Sequence, residues 1–267
     1  MTALSGSPLY HYTLAKEIVK QGHSVDFYSE WSWNVMRGDL EEVGVNILDE
    51  YPIGKYDRII ISQKDHQDIL RKVSAKKITN IIHSEYDAET PITEFQIDEY
   101  IAIRPSIKEH LIKSHGISEK KIRVVYNGID FERFSEKKRL DPPEEYTKVV
   151  LPCTMDMLRK PFIEYYTHRA SERFRVFIFG KDFGNDIFRN EWTFVNGEVN
   201  DIENHIADAD FIAGILLGRV NLEARAMEIP SFIHNPSDPE EKYVFFPDDE
   251  TFRENHDITN VTQKILC

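Results

Sequence analysis

The stretch Ile97–Phe134, IDEYIAIRPSIKEHLIKSHGISEKKIRVVYNGIDFERF, decides the fold. EYIAI is a run of β-favouring residues. Pro105 then opens a segment in which Ser106, Ile107, Leu111 and Ile112 fit one helix face, and Gly116 stands where that helix would stop. IRVVYNG is a second β-rich run, closed by an Asn-Gly turn at Asn127 and Gly128. Strand, helix and strand in this order are one unit of a parallel sheet with a crossover helix.

Working outward, the same alternation continues on both sides. Upstream, HSVDFYS, GVNILD (Gly44–Asp49), YDRIIIS (Tyr56–Ser62) and KITNIIH (Lys77–His83) read as strands, with a helical pattern in HQDILRKVSA. Before them, Ser5, Gly6, Ser7 and Pro8 read as a small-residue loop, Leu14, Ile18 and Val19 as a helix, and Gly22 as its end. Downstream, SEKKRLDPPEEYTK (Ser135–Lys148) is charged, holds two prolines and reads as a linker. Alternation then resumes with KVVLPC, KPFIEYYTHRASE, FRVFIFG, WTFVNG, DIENHIADA, DFIAGI, NLEARAME and PSFIH. Beyond Asp238 the chain is acidic and its order is not legible, except that DITNVTQKIL reads as a last helix. The expectation is two α/β domains, 1–140 and 141–267. Ligands of such sheets bind at the carboxyl ends of strands, and a cleft between two such domains is a natural site.

Composition narrows the function. The 267 residues suffice for two ordinary domains. A net charge of −13 argues against nucleic acid as a partner, since that affinity rests on Lys and Arg neutralising phosphates. Cys153 and Cys267 are the two cysteines, too few for a disulfide framework, and a cytoplasmic setting is expected. No apolar run reaches the ~18 residues of a membrane span, and the start lacks a basic-then-apolar signal pattern. The lysines of KVSAKK and KSHGISEKK could give weak peripheral contact with an anionic membrane; a solvated helix face is the preferred reading.

Four stretches, in order, resemble retaining GT-B glycosyltransferases of the group 1 type. SGSPLYHYTLAKEIVKQGHSV is similar to that family's opening, and Ile97–Phe134 to its domain-closing stretch, most of all at Asn127-Gly128-Ile129-Asp130 followed by Phe134. NGEVNDIENHIADADFIAG and GRVNLEARAMEIP are similar to the region before the donor-site helix and to that helix. The resemblance implies a GT-B fold of two Rossmann-like domains facing a cleft, the donor-binding one C-terminal. It implies a retaining, metal-independent transfer of a hexosyl or related sugar from a nucleoside-diphosphate-sugar donor to an acceptor, with no cofactor. Donor base, sugar, acceptor (glycan, lipid or small molecule) and oligomeric state stay open.

The resemblance also supplies candidate residues. Glu223 matches the second Glu of an E-x7-E motif that binds donor ribose hydroxyls. A carboxylate suits a vicinal diol because it accepts two hydrogen bonds; the plain alternative is a carboxylate complementing the helix dipole. Gly218, Arg219 and Val220 precede it, where a glycine turn and a helix start could receive the diphosphate. Arg159 and Lys160 fit the position of a cation reaching that diphosphate, where charge grows in the transition state. Ser5, Gly6 and Ser7 would face diphosphate and acceptor. His83, at a strand's carboxyl end, would contact the transferred sugar or acceptor. No general base is assigned, because the departing phosphate can take the acceptor's proton. Asn127 and Asp130 read as turn formers.

The sequence departs from the pattern in three places. The motif's first Glu falls at Ile215, which cannot accept a hydrogen bond, so either sugar recognition differs or activity is lost. The strand-end Arg that precedes the cation falls at Thr154 or Met155. Only MTAL precedes the Gly-rich loop where the family has a buried strand. Either that strand is absent or the chain is a fragment, and its loss would expose sheet edges. A noncatalytic GT-B-like protein that binds a nucleotide-sugar or a partner enzyme is therefore the rival reading, and a sugar-nucleotide epimerase the third.

Overall fold

The structure is a computed structural model. It describes residues 6–29, 34–62, 64–85, 90–135, 140–199, 201–215, 217–235, 238–245 and 249–267. The contacts divide into two units. One consists of Ser7–Gly128 with Glu254–Cys267; the other is built on Ile129–Arg253.

The N-terminal unit starts with α1 (Gly6–Lys20). Then come β1 (Asp26–Tyr28), α2 (Asn34–Glu42), β2 (Asn46–Leu48), β3 (Gly54–Ile61), a 3-10 helix (Lys64–Arg71), β4 (Val73–Ile82), β5 (Glu99–Ala102), α3 (Pro105–His115) and β6 (Ile122–Val124). Strands β3-β4-β5-β6 form a parallel sheet in that order, and β1 pairs with β2, also parallel. Consecutive parallel neighbours need crossovers, and α3 supplies the one between β5 and β6. It buries Ile107 and Leu111. It ends because Gly116 adopts a left-handed conformation, φ 63°, and turns its N–H back to Ile112 O at 3.1 Å. The Ile-rich core joins Tyr10 and Leu14 of α1 to Ile81, Ile82, Ile101 and Ile107.

Three readings change here. Gly6 and Ser7 are the first residues of α1 rather than a loop, and proline is tolerated in a first helical turn, where N–H groups have no helical partner. Ser5 lies outside the described residues, as does MTAL. KVSAKK is strand β4, not helix: alternation in Val73–Lys77 satisfies a strand period. Its lysines are engaged, Lys76 with Asp57 at 2.6 Å and Lys77 with Glu99 at 3.1 Å.

The last helix, α9 (Ile258–Leu266), belongs to the N-terminal unit. Val261 and Ile265 enter its Ile-rich core. Three basic residues of the sheet reach the carbonyl end of the helix: Arg58 Nη2 donates to Leu266 O at 2.6 Å, Arg123 Nη1 to Lys264 O at 2.7 Å and Lys77 Nζ to Cys267 O at 3.4 Å. Cations there satisfy orphan carbonyls and complement the helix dipole.

The C-terminal unit contains α4 (Phe131–Ser135), β7 (Thr147–Pro152), α5 (Lys160–Thr167), β8 (Phe174–Phe179), β9 (Thr193–Val195), α6 (Ile202–Ile206), β10 (Phe211–Ile215), α7 (Arg219–Ala226), β11 (Ser231–Asn235), β12 (Asp238–Val244) and α8 (Asp249–His256). The strand order is β12-β11-β10-β7-β8-β9, parallel except for the edge strand β12. The sequence reading placed a boundary at 140/141, whereas these contacts divide at Gly128/Ile129. The reason is apolar: Phe134 packs with Val150 and Ile206, and Ile129 and Phe131 with Leu222 and Phe252.

Candidate functional site

In the C-terminal unit the chain runs from β7 to β8 and β9 on one side, then returns to β10 on the other side of β7. That reversal makes the carboxyl ends of β7 and β10 a topological switch point, where open α/β sheets bind ligands. The helices that start there are α5, after β7, and α7, after β10. Four of the candidate residues therefore fall on the switch point: Arg159 and Lys160 at the start of α5, Gly218 and Arg219 at the start of α7.

Glu223 is buried in α7, and its Oε1 accepts from Arg219 Nε at 2.6 Å. The pair is spaced i, i+4 with both side chains buried. Arg219 Nη1 is buried and has no hydrogen-bond partner. In this ligand-free state Arg219 thus points its guanidinium at Glu223, so it orients that carboxylate. Gly218 is the helix cap. Its N–H donates to Asn221 Oδ1 at 3.0 Å, and Asn221 N–H donates back to Gly218 O at 3.1 Å. Asn221 Nδ2 also donates to Ser231 Oγ at 2.7 Å. Asn221 is therefore a structural cap. Val220 is partly buried against the apolar cluster around Ile212.

Ile215 ends β10, in register with His234 of β11. Its side chain is partly buried against the cluster of Leu151 and Phe162, so the position presents an apolar surface. Asp210 is likewise structural, since its Oδ2 accepts from Lys148 N–H at 2.6 Å.

The two cations of α5 are tied down. Arg159 pairs with Asp156, whose Oδ1 also accepts the Arg159 N–H at 2.9 Å. Lys160 donates to Asp186 O and lies 3.7 Å from Glu164. The carboxylates of Asp156 and Glu164 offset the two positive charges, so a diphosphate would have to compete with them. Nearby, Cys153 is a buried thiol, pushed up to about 12 by burial; it is not a nucleophile at neutral pH.

In the N-terminal unit, His83 lies just past the carboxyl end of β4, as expected from sequence. It is buried, and its Nε2 is 3.3 Å from Ser62 Oγ, just past the end of β3. The same Oγ contacts His11 Nε2, from α1. Asn80 of β4 fixes the backbone there: Nδ2 donates to Ile61 O at 3.0 Å and Ser62 O at 3.2 Å, and Oδ1 accepts from Ile92 N–H at 3.0 Å. The rings of Tyr10, His11 and His83 pack edge to face, with centroids 5.1 to 5.5 Å apart. Burial lowers the His11 imidazole to about 4. Burial, aided by the charges of His11 and Arg104, holds His83 well below its usual range. Arg104 is itself engaged by Glu85, whose Oε1 also accepts from Ser106 Oγ at 2.7 Å. His11, Ser62 and Asn80 come from three elements, so no spacing in the sequence could have joined them to His83. Among the described residues no group of three His, Cys, Asp or Glu side chains could hold a metal ion, and no helix is long and apolar enough to cross a membrane.

No protein-family model matches the chain, and no curated protein matches it. Solved structures do. HepE of Anabaena, in complex with UDP and glucose, shares 13% identity, with 98% of this chain and 95% of that one covered, at a TM-score of 0.69. A glycosyltransferase of Rickettsia africae shares 14% identity over 98% of this chain and 84% of its own, at 0.67. WaaG, a glycosyltransferase involved in lipopolysaccharide biosynthesis, shares 11% identity over 97% and 87%, at 0.54.

The fold is GT-B.

Identities this low carry the GT-B architecture and leave the chemistry to the residues. Within that GT-B frame, the candidate residues of the C-terminal unit gather at its switch point, while His83 belongs to a separate cluster in the N-terminal unit.

Proposed function

We propose that this chain is a retaining, metal-independent glycosyltransferase that uses a nucleoside-diphosphate-sugar donor. One observation carries the reading: Glu223, a buried carboxylate on the helix that starts at the switch point, is held through one oxygen by Arg219. A carboxylate fixed in this way has its second oxygen left to accept from a ribose hydroxyl. Gly218, Arg219 and Val220 would line the diphosphate end of that donor. Arg159 and Lys160, once released from Asp156 and Glu164, would take up the negative charge that develops on the leaving phosphate. His83 would bind a sugar hydroxyl, with Gly6 and Ser7 at the start of α1 nearer the acceptor. The acceptor is a glycan, a lipid or a small molecule, and its proton leaves with the departing phosphate.

Binding by HepE of UDP and UDP-glucose, as those structures' titles describe, makes uridine nucleotides the first to test. The experiment is thermal-shift binding of UDP-, GDP- and ADP-sugars to wild type and to Glu223→Gln. The substitution keeps the shape and removes the charge. A ligand that binds the folded state alone raises its apparent stability. Stabilisation by one nucleotide class, lost in Glu223→Gln, supports the ribose role. Stabilisation unaffected by the substitution refutes it.

Ile215 favours a second reading, a noncatalytic GT-B-like protein that binds a nucleotide-sugar or a partner enzyme. No hydrogen bond to the donor sugar can come from that side chain. Donor binding without product, across a panel of sugar and lipid acceptors, would select this reading.

A further inference from the structure

The Ser62 hydroxyl sits between two imidazoles. Among the described residues its Oγ has two hydrogen-bond partners, His11 Nε2 and His83 Nε2. A hydroxyl has one proton to donate and lone pairs to accept. If it donates to one imidazole, it must accept an N–H from the other. One ring therefore has its proton on Nε2 and the other on Nδ1. Turning the Ser62 O–H from one ring to the other reverses both tautomers together.

The hydroxyl is well placed for this. Asn80 clamps the carbonyls of Ile61 and Ser62, and the edge-to-face packing of Tyr10, His11 and His83 restricts ring rotation. The charged groups that face the cluster are Arg104 and Glu85, and they form an ion pair with each other. The cluster thus has no net charge to offer an anion.

We propose that Ser62 and His11 are positioning residues for His83, holding the two imidazoles in opposite tautomers so that the cluster recognises an uncharged sugar hydroxyl and disfavours an acidic sugar. The sugar-binding half of this inference rests on the function proposed above; the tautomer half does not. A sugar hydroxyl both donates and accepts, so a pair whose polarity reverses can match it in either sense. A uronic acid would bring a carboxylate to a site with no free cation for it, at the cost of desolvation.

The test is long-range 1H–15N correlation of the histidine rings in the ligand-free full chain at pH 7. The His11 and His83 signals are assigned by His11→Gln and His83→Gln. The expected result is two neutral rings in opposite tautomers, preserved in Ser62→Thr and uncoupled in Ser62→Ala. Identical tautomers in the wild type, or an unchanged pattern in Ser62→Ala, would overturn the arrangement. Titration with glucose and with glucuronate then tests the ligand class on the same spectra. Glucose should move the His83 ring nitrogens and glucuronate should not. The reverse order, or no shift with either, overturns the preference. Loss of nucleotide binding in the thermal-shift experiment would count against the glycosyltransferase reading while leaving the tautomer result intact.

Discussion

The Arg219–Glu223 pair gives a prediction that separates structure from binding. Both side chains are buried, the Nε–Oε1 distance is 2.6 Å, and Arg219 Nη1 already lacks a partner. Truncating one member leaves the other as an uncompensated buried charge, which costs about 3–5 kcal/mol. Glu223→Ala should therefore destabilise the chain by about that amount, and so should Arg219→Met. The double variant removes both charges together, and the Met stem refills part of the space. Its loss should fall short of the sum of the singles by about 2–3 kcal/mol. Equilibrium urea unfolding of all four proteins closes the cycle, with fluorescence and circular dichroism followed together because a chain with two units need not unfold in one step. A coupling below about 0.5 kcal/mol is what distant, independent sites show. That result would mean that the pair does not act as a unit and that Glu223 is not oriented by Arg219. The cycle also explains why the ligand test uses Glu223→Gln: an alanine there would confuse lost binding with lost stability.

Three further outcomes follow from the geometry. Burial lowers the His11 imidazole from 6.5 to about 4, so it is neutral in the folded state and takes up a proton on unfolding at acidic pH. Its share of stability is complete above about pH 6.5 and is lost as pH falls towards about 4, at up to about 1.4 kcal/mol per pH unit. Unfolding midpoints of His11→Gln between pH 7 and 5 should accordingly fall less steeply than those of wild type; equal slopes would show that His11 is not desolvated. A methyl group at Gly180 would stand 2.2 Å from the carbonyl oxygen of Cys153, a backbone atom that no rotamer change can move. Gly180→Ala should cost about 1–3 kcal/mol by overpacking, and an unchanged unfolding midpoint would show that the β7 and β8 ends are not in contact. Cys153 is buried with its thiol pushed up to about 12, whereas Cys267 is exposed. Ellman's reagent should meet one fast thiol in the native protein and two in urea, and two fast thiols in the native state would contradict the burial of Cys153.

The sequence by itself determined the fold class and most of its elements. Period-2 runs such as KITNIIH and KVVLPC, the helix of Pro105–His115 and its Gly116 stop are local signals, set by backbone geometry and side-chain packing within a few residues. They became β4, β7 and α3. Four resembling stretches in order were enough to name the GT-B fold. Local signals failed where tertiary contacts override them. The charged segment after Ser135 reads as a linker, but Ile129, Phe131 and Phe134 already bury their side chains in the C-terminal unit. Nothing near residue 258 shows that α9 packs on the N-terminal unit, because its apolar face meets partners over a hundred residues away. Asp249–His256 and Asp238–Val244, α8 and β12, are mainly polar segments without a clear period, and they form through pairing and packing.

The candidate sites divide in the same way. Glu223, Gly218, Arg159 and Lys160 were legible because a ligand site at strand ends depends on residues close to one helix start. What those residues touch was decided only by the tertiary structure. Arg219 turns to Glu223 because the two are one helical turn apart and buried together. Asn221 caps the helix because Gly218 leaves its N–H within reach. His11, Ser62 and His83 meet because a parallel sheet brings the carboxyl ends of β3 and β4 side by side and lays α1 against them. Sequence distance is no guide to such a cluster: its hydrogen bonds form between elements, and only the folded backbone places them within 3.5 Å.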